Sequence, residues 1–202
     1  MKPRSYRLGR RQEAVDRTKS RVLAAARKFL TSSEAAHGFS IDAIARRAGV
    51  TRATVYHGFN SKTGLLGELY DSLATDAALG ERIGLAFRAV GLTAALRRIV
   101  SAYCRLWATN RSLIRRLHAL ADVDAGFSRV DRSEWRRAAL TALLAQHSGE
   151  RAPNTARRHR ELIDTLHMLT SFESYDALAR RGRSDATVAR LIAELALRVV
   201  NG

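Results

Sequence analysis

A short polar stretch that begins at Thr51 carries side chains able to hydrogen-bond to nucleic acid. Val55 is its one clear apolar anchor, which leaves the polar residues to point away from a core: Arg52, Thr54, Tyr56 and His57. An arginine can donate two parallel hydrogen bonds to guanine, and threonine and tyrosine hydroxyls can reach bases or phosphates. A solvated surface helix would have a similar composition. The flanking residues therefore decide between the two interpretations.

The residues before this stretch predict the element that positions it. Apolar residues recur there at helical spacing: Ile41, Ile44, Ala45 and Ala48. Ser40 precedes them as an N-cap, and Gly49 follows as a residue that can end the helix in the left-handed conformation. Thr51 offers the N-cap of a second short helix over residues 52–57. Two such helices form a helix-turn-helix, whose second helix enters the DNA major groove.

This segment resembles the DNA-binding signature of the tetracycline-repressor (TetR) family. The matching positions are Ile44-Ala45, Ala48-Gly49-Val50, Thr54-Val55-Tyr56, Phe59, Ser61-Lys62 and Leu65-Leu66. The resemblance covers about the first 70 residues. It implies an all-helical transcription regulator, usually a dimeric repressor that a small ligand releases from its operator.

The resemblance also implies roles for individual residues. Thr51 and Tyr56 would contact phosphates, as would Lys62 at the start of the next helix. Four residues would face the groove: Arg52, Ala53, Thr54 and His57. The sequence departs from the family at Gly58, where an aromatic residue or a histidine usually touches the DNA backbone, and at Ala53, which replaces a common glycine.

The charge of the chain is concentrated where the helix-turn-helix is predicted. The net charge is +16; residues 1–62 hold 14 basic against 4 acidic residues, and the remainder 21 against 15. A basic surplus in one segment is typical of a protein that binds a polyanion. A generally arginine-rich proteome would explain part of the surplus, since Arg outnumbers Lys 31 to 4, but not its uneven distribution. A non-sequence-specific protein that coats the nucleoid remains the alternative.

The rest of the chain predicts an all-α fold of about nine helices. Only Pro3 and Pro153 interrupt a composition dominated by good helix formers. We predict a basic N-terminal arm over 1–15, a DNA-binding domain of three helices with the helix-turn-helix over 16–75, and a helical ligand-binding and dimerisation domain over 76–202. The arm would lie along the DNA or be a solvated tail. Long helices are expected over 62–78, which would link the two domains, and over 155–179.

Two features of the second domain bear on partners. Its last two helices are apolar over more than one stripe, which indicates a second packing partner; the resemblance implies a homodimer through these helices, and packing within one subunit is the alternative. Its middle helices hold side chains that suit a small, largely apolar ligand. The tentative ligand contacts are Tyr103, Trp107, His118, Phe127, Trp135 and His167, with ordinary core packing as the alternative for each aromatic residue.

Signatures of catalysis are missing from the sequence. It has no glycine-rich phosphate loop, no Gly-x-Ser-x-Gly and no His-Glu-x-x-His. Cys104 has no flanking His or Lys to activate it, and the six histidines are not at metal-ligand spacing. We therefore expect no enzyme activity, cofactor or metal. With one cysteine, no signal-peptide pattern and no long apolar run, a cytoplasmic protein is expected.

Overall fold

The computed structural model describes residues 4–37, 39–121, 133–147 and 156–201, and every regular element in these ranges is a helix. The α-helices are α1 (Arg4–Thr31), α2 (Ile41–Ala48), α3 (Arg52–Phe59), α4 (Lys62–Asp76), α5 (Leu79–Phe87), α6 (Leu92–Thr109), α7 (Arg111–Ala121), α8 (Ser133–His147), α9 (Ala156–Leu169), α10 (Phe172–Ala179) and α11 (Asp185–Asn201). A 3-10 turn, Ser33–His37, follows α1. The predicted all-α class is confirmed. None of these helices is both long and apolar enough to cross a membrane.

The described ranges hold eleven α-helices rather than about nine. Gly80 and Gly84 both lie inside α5, which packs against α6. A glycine inside a helix costs about 1 kcal/mol relative to alanine, and packing of the apolar face can offset this.

The predicted long helix over 155–179 is broken between α9 and α10. Ser171 takes an extended conformation (φ −70°, ψ 163°), and its side chain accepts a hydrogen bond from the Ser174 backbone N–H. The Thr170 hydroxyl donates to the Leu166 carbonyl at 2.8 Å. Because such local side-chain bonds compete with the helix ladder, they end α9 and begin α10.

Helix α1 begins at Arg4 rather than near Asp16, so most of the predicted arm is helical. No proline follows Pro3 in this region, and eight of residues 4–15 are Arg, Leu, Gln, Glu or Ala. A helix nucleated by packing further along extends through such good formers at little cost. A contact between this segment and DNA remains a prediction.

Residues 4–72 and 112–121 belong to one compact unit. One apolar stripe of α1 is buried: Val22, Ala26, Phe29 and Leu30. It packs on α2 and α3. The unit also includes most of α7, which the sequence analysis placed in the second domain: Arg116 Nη1 donates to the carbonyl oxygens of Leu30 at 3.0 Å and Ser32 at 2.6 Å. This cation satisfies carbonyl groups at the end of α1, where a positive charge is favoured.

The second compact unit holds residues 73–111, 133–147 and 156–201, with α6 at its centre. Helix α6 packs on α5, α8, α10 and α11, and its apolar stripe is buried: Leu96, Ile99, Val100, Tyr103 and Trp107. On α11, Val188 and Ile192 are buried, whereas Leu195 and Val199 are 43% and 38% exposed. Helix α11 therefore has one apolar stripe inside this unit and a second one on its surface.

Candidate nucleic-acid interface

The turn between α2 and α3 is fixed by the caps that the sequence predicts. The Ser40 side chain accepts a hydrogen bond from the Ala43 backbone N–H, and Gly49 adopts the left-handed conformation (φ 64°, ψ 41°) that ends α2. From α1, Arg21 Nη2 donates to the carbonyl oxygens of Ala48 at 2.5 Å and Gly49 at 3.3 Å. The arginine thus satisfies terminal carbonyl groups of α2. The sequence alone does not indicate this role of Arg21.

Helix α3 is seated by two apolar residues. Thr51 caps it by accepting from the Thr54 backbone N–H at 3.1 Å, and Val55 and Phe59 are 1% and 3% exposed. Lys19 lies with its ammonium 5.4 Å from the centre of the Phe59 ring. The helix continues through Gly58 to Phe59, so Gly58 does not end it.

The remaining side chains of α3 point into solvent. The exposed residues are Thr51, Arg52, Ala53, Thr54, Tyr56 and His57. The seventh predicted DNA contact, Lys62, is half-buried, with its ammonium 5.6 Å from the centre of the Phe39 ring. To read the major groove, a helix must bury one face against its own domain and expose its polar face, which is the geometry of α3.

Arg52 makes contacts that its sequence position does not reveal. Its Nη1 lies 2.7 Å from Asp42 Oδ2 of α2, and its Nη2 lies 3.4 Å from the Tyr56 hydroxyl. The central guanidinium carbon is 5.3 Å from the centre of the Tyr56 ring. In the sequence Asp42 has the pattern of an ordinary acidic residue in the first turn of a helix, and only the crossing of α2 and α3 brings it to Arg52.

The tentative ligand contacts fall in different places. Tyr103 and Trp107 are buried in the second unit, with stacked rings 6.3 Å apart, and Trp107 Nε1 donates to the Thr170 carbonyl at 3.0 Å. Trp135 is 64% exposed. His118 belongs to the first unit, and Phe127 lies outside the described residues.

A buried arginine accompanies the aromatic pair. Arg136 is 8% exposed, and its guanidinium carbon lies 5.8 Å from the centre of the Trp107 ring. Burial raises the pKa of Tyr103 to about 12, although Arg136 opposes the shift. The Nε2 atom of His167 lies 3.0 Å from Arg136 Nη2. Burial, followed by the charge of Arg136, lowers the pKa of His167.

We expect a His167→Asn variant to lose less stability than the wild type on acidification. Because the folded chain disfavours the charged imidazole, the unfolded chain, with an ordinary histidine pKa of about 6.5, takes up the proton first as the pH falls. Stability present above that pH is therefore lost below it. Urea unfolding at a series of pH values measures the effect, with His159→Asn on the same helix as control. Equal pH dependence in the wild type and His167→Asn would contradict the assignment.

The described residues offer little for metal or thiol chemistry. They hold no group of three or more His, Cys, Asp or Glu side chains that could bind a metal ion. Cys104 is a buried free cysteine, and burial raises the pKa of its thiol to about 12. A thiol with so high a pKa is a poor nucleophile at neutral pH.

Comparison with known proteins agrees with this geometry. Residues 22–69 match the family model described as bacterial regulatory proteins, tetR family. A TetR-like transcriptional regulator from Rhodococcus sp. RHA1 has 21% sequence identity and a TM-score of 0.63, over 92% of this chain and 96% of that one. The regulator LfrR from Mycobacterium smegmatis, solved in complex with proflavine, has 26% identity and a TM-score of 0.51, over 89% and 94%. No curated protein matches the chain in sequence.

The seated, outward-facing α3 and the all-helical fold define a DNA-binding protein of the helix-turn-helix class. Residues 22–69 thus form a segment that matches the tetR family of bacterial regulatory proteins, and the chain shares its fold with solved TetR-like regulators.

Proposed function

We propose that the protein is a homodimeric, sequence-specific repressor, released from a palindromic operator by a small, largely apolar ligand. The observation that carries the DNA-binding part is helix α3, which Val55 and Phe59 hold in place. Together with its N-cap Thr51, it exposes six of the seven predicted contact residues. The basic surplus of residues 1–62 favours the approach of a phosphate backbone to this part of the chain.

The hydroxyl groups at the start of α3 suit a phosphate contact. Thr51 Oγ1 and Thr54 Oγ1 lie 2.8 Å apart and share one hydrogen bond. Each hydroxyl has one hydrogen to donate, so one of the two remains available to a phosphate oxygen. Tyr56 offers a third hydroxyl one turn further along. In this proposal Arg52 reads a base edge, and Thr51, Tyr56 and Lys62 hold the backbone.

Two substitutions separate these roles. Arg52→Ala should relax the preference at one base pair by about 1–3 kcal/mol, because it removes a bidentate contact. Tyr56→Phe should weaken binding to all sequences alike, by about 1 kcal/mol, because it removes a hydroxyl that contacts phosphate. Affinities for a selected operator and for its single-base substitutions measure both effects. Binding equal to wild type in both variants would refute the assignment.

The dimer is proposed through the last helices. Leu195 and Val199 form an exposed apolar pair one turn apart on α11, and Met168 on α9 is 56% exposed. Such residues are better buried against a second copy than left in water. A twofold dimer would present two α3 helices to half-sites about 34–36 Å apart, or multiples of that spacing.

The ligand is proposed to bind in the second unit. The buried aromatic pair Tyr103 and Trp107 lies there, with His167 beside Arg136, and Trp135 belongs to the same unit. The related LfrR was solved with proflavine bound, which supports a ligand of this general size in such a fold. To release DNA, the ligand must bind more tightly to the conformation that does not fit the operator.

A nucleoid-coating protein driven by the charge of +16 is the second candidate. Salt titration distinguishes the two. A coating protein binds operator and random DNA equally at every salt concentration, whereas a specific regulator keeps a preference for its operator when salt has weakened the phosphate contacts.

A further inference from the structure

A carboxylate of α2 holds the arginine that is the candidate base reader of α3. Asp42 Oδ2 lies 2.7 Å from Arg52 Nη1, and both side chains are 58% exposed. We propose that Asp42 is a positioning residue, which presets the Arg52 guanidinium for one base pair of the operator. This inference rests on the proposed function.

This ion pair contributes little to the stability of the fold, and it does not strengthen non-specific DNA binding. Water screens a pair so exposed, and its contribution to stability is small. A carboxylate beside a DNA-binding helix also repels phosphates and so lowers affinity for any DNA. Asp42 does lie in the first turn of α2, where a negative charge is favoured, but that local role needs no contact with Arg52.

The contacts of Arg52 restrict its long side chain from two sides. Asp42 holds Nη1 from α2, and the Tyr56 ring lies along α3 with its centre 5.3 Å from the guanidinium carbon. A guanidinium has five N–H donors, so donors remain for the O6 and N7 atoms of guanine. A side chain already held in one region loses less conformational freedom on binding.

The same unit supplies a matched control. Arg47 Nη2 lies 2.7 Å from Glu34 Oε1, in a pair that joins α2 to the 3-10 turn and does not include α3. Glu34→Gln and Asp42→Asn each remove one negative charge and one arginine pair. Only Asp42→Asn releases the proposed base reader.

The test measures the base preference of the full-length protein. Wild type first selects an operator from random DNA, and each variant is then titrated with that operator and with its single-base substitutions. At the base pair where Arg52→Ala loses its preference, Asp42→Asn should lower the ratio of affinities for the operator and for its substituted form about tenfold. Its affinity for random DNA should be unchanged or raised. Glu34→Gln should keep discrimination at every position. Adding Asp42→Asn to Arg52→Ala should cause no further loss.

Three results would overturn the inference: full discrimination in Asp42→Asn, an equal loss at all positions, or an additional loss in the double variant. If Asp42→Asn unfolds more readily than wild type, Asp42→Glu provides a second test because it restores the carboxylate. It should restore discrimination at that base pair, and failure to restore it also counts against the inference. A wild type without any sequence preference would overturn the proposed function as well, whereas a specific wild type with an indifferent Asp42→Asn overturns this inference alone.

Discussion

A Gly64→Ala variant should unfold at a markedly lower temperature than wild type and lose specific DNA binding. A β-carbon at residue 64 would overlap the carbonyl oxygen of Phe59 and lie 3.2 Å from its carbonyl carbon. Both are backbone atoms of the last residue of α3, so rotation of a side chain cannot relieve the clash. The end of α3 or the first turn of α4 must move, at a cost of about 3 kcal/mol.

The displacement should affect DNA binding beyond its effect on stability. Recognition side chains must be held within about 0.5 Å of their productive positions, and α3 with its N-cap Thr51 carries six of the predicted contacts. Thermal unfolding and operator affinity at a temperature where the variant is folded measure the two effects separately.

Gly58→Ala is the matched control for this prediction. It makes the same substitution inside α3, where the nearest atom to the new β-carbon would be Lys19 Cγ at 4.0 Å. It should raise the free energy of unfolding by about 0.5–1 kcal/mol, since alanine restricts the unfolded chain. A Gly64→Ala variant with the same melting temperature as the wild type would show that the connection between α3 and α4 differs from the one described.

Asp176→Ala should lower the free energy of unfolding by about 3 kcal/mol. The Asp176 side chain is only 5% exposed; its Oδ1 lies 2.7 Å from Arg111 Nε and its Oδ2 lies 2.8 Å from Arg180 Nε. Removing the carboxylate leaves the partly buried Arg111, 30% exposed, without this counter-charge. For a chain of this size the loss corresponds to a decrease in Tm of about 6–12 °C.

Asp164→Ala is the control for that prediction. Asp164 also pairs with an arginine, Arg137 at 2.5 Å, but it is 62% exposed. Because solvent screens that pair, its removal should lower the free energy of unfolding much less than the removal of Asp176 does. Similar unfolding curves for the two variants would contradict the view that burial makes the Asp176 cluster important.

The local structure of the helix-turn-helix could be predicted from sequence because short-range physics determines it. Ser40 and Thr51 each satisfy a backbone donor three residues further on, and Gly49 supplies a positive φ angle. Val55 could be predicted to be buried because it is the one clear apolar anchor among the polar residues 52–57. None of these features depends on distant parts of the chain.

Features that depend on how helices cross could not be predicted in the same way. The angles between helices determine the ion pair of Asp42 with Arg52 and the close approach of Gly64 to Phe59. The spacing of apolar residues in the sequence does not predict these angles. Asp176 lies among the apolar residues of α10, and only its distant partner Arg111 explains a charge there. The break at Ser171 arises because local side-chain hydrogen bonds of Thr170 and Ser171 compete with the backbone hydrogen bonds of a continuous helix. The sequence is compatible with either pattern.

The most direct test of the regulator assignment is selection of bound sequences by the full-length protein from a pool of random duplex DNA. A specific dimer predicts enrichment of one palindromic sequence, with two half-sites centred about one helical turn or a multiple of it apart. Enrichment of no sequence over the starting pool, at low or at high salt, would contradict the account and favour a protein that coats DNA through charge alone.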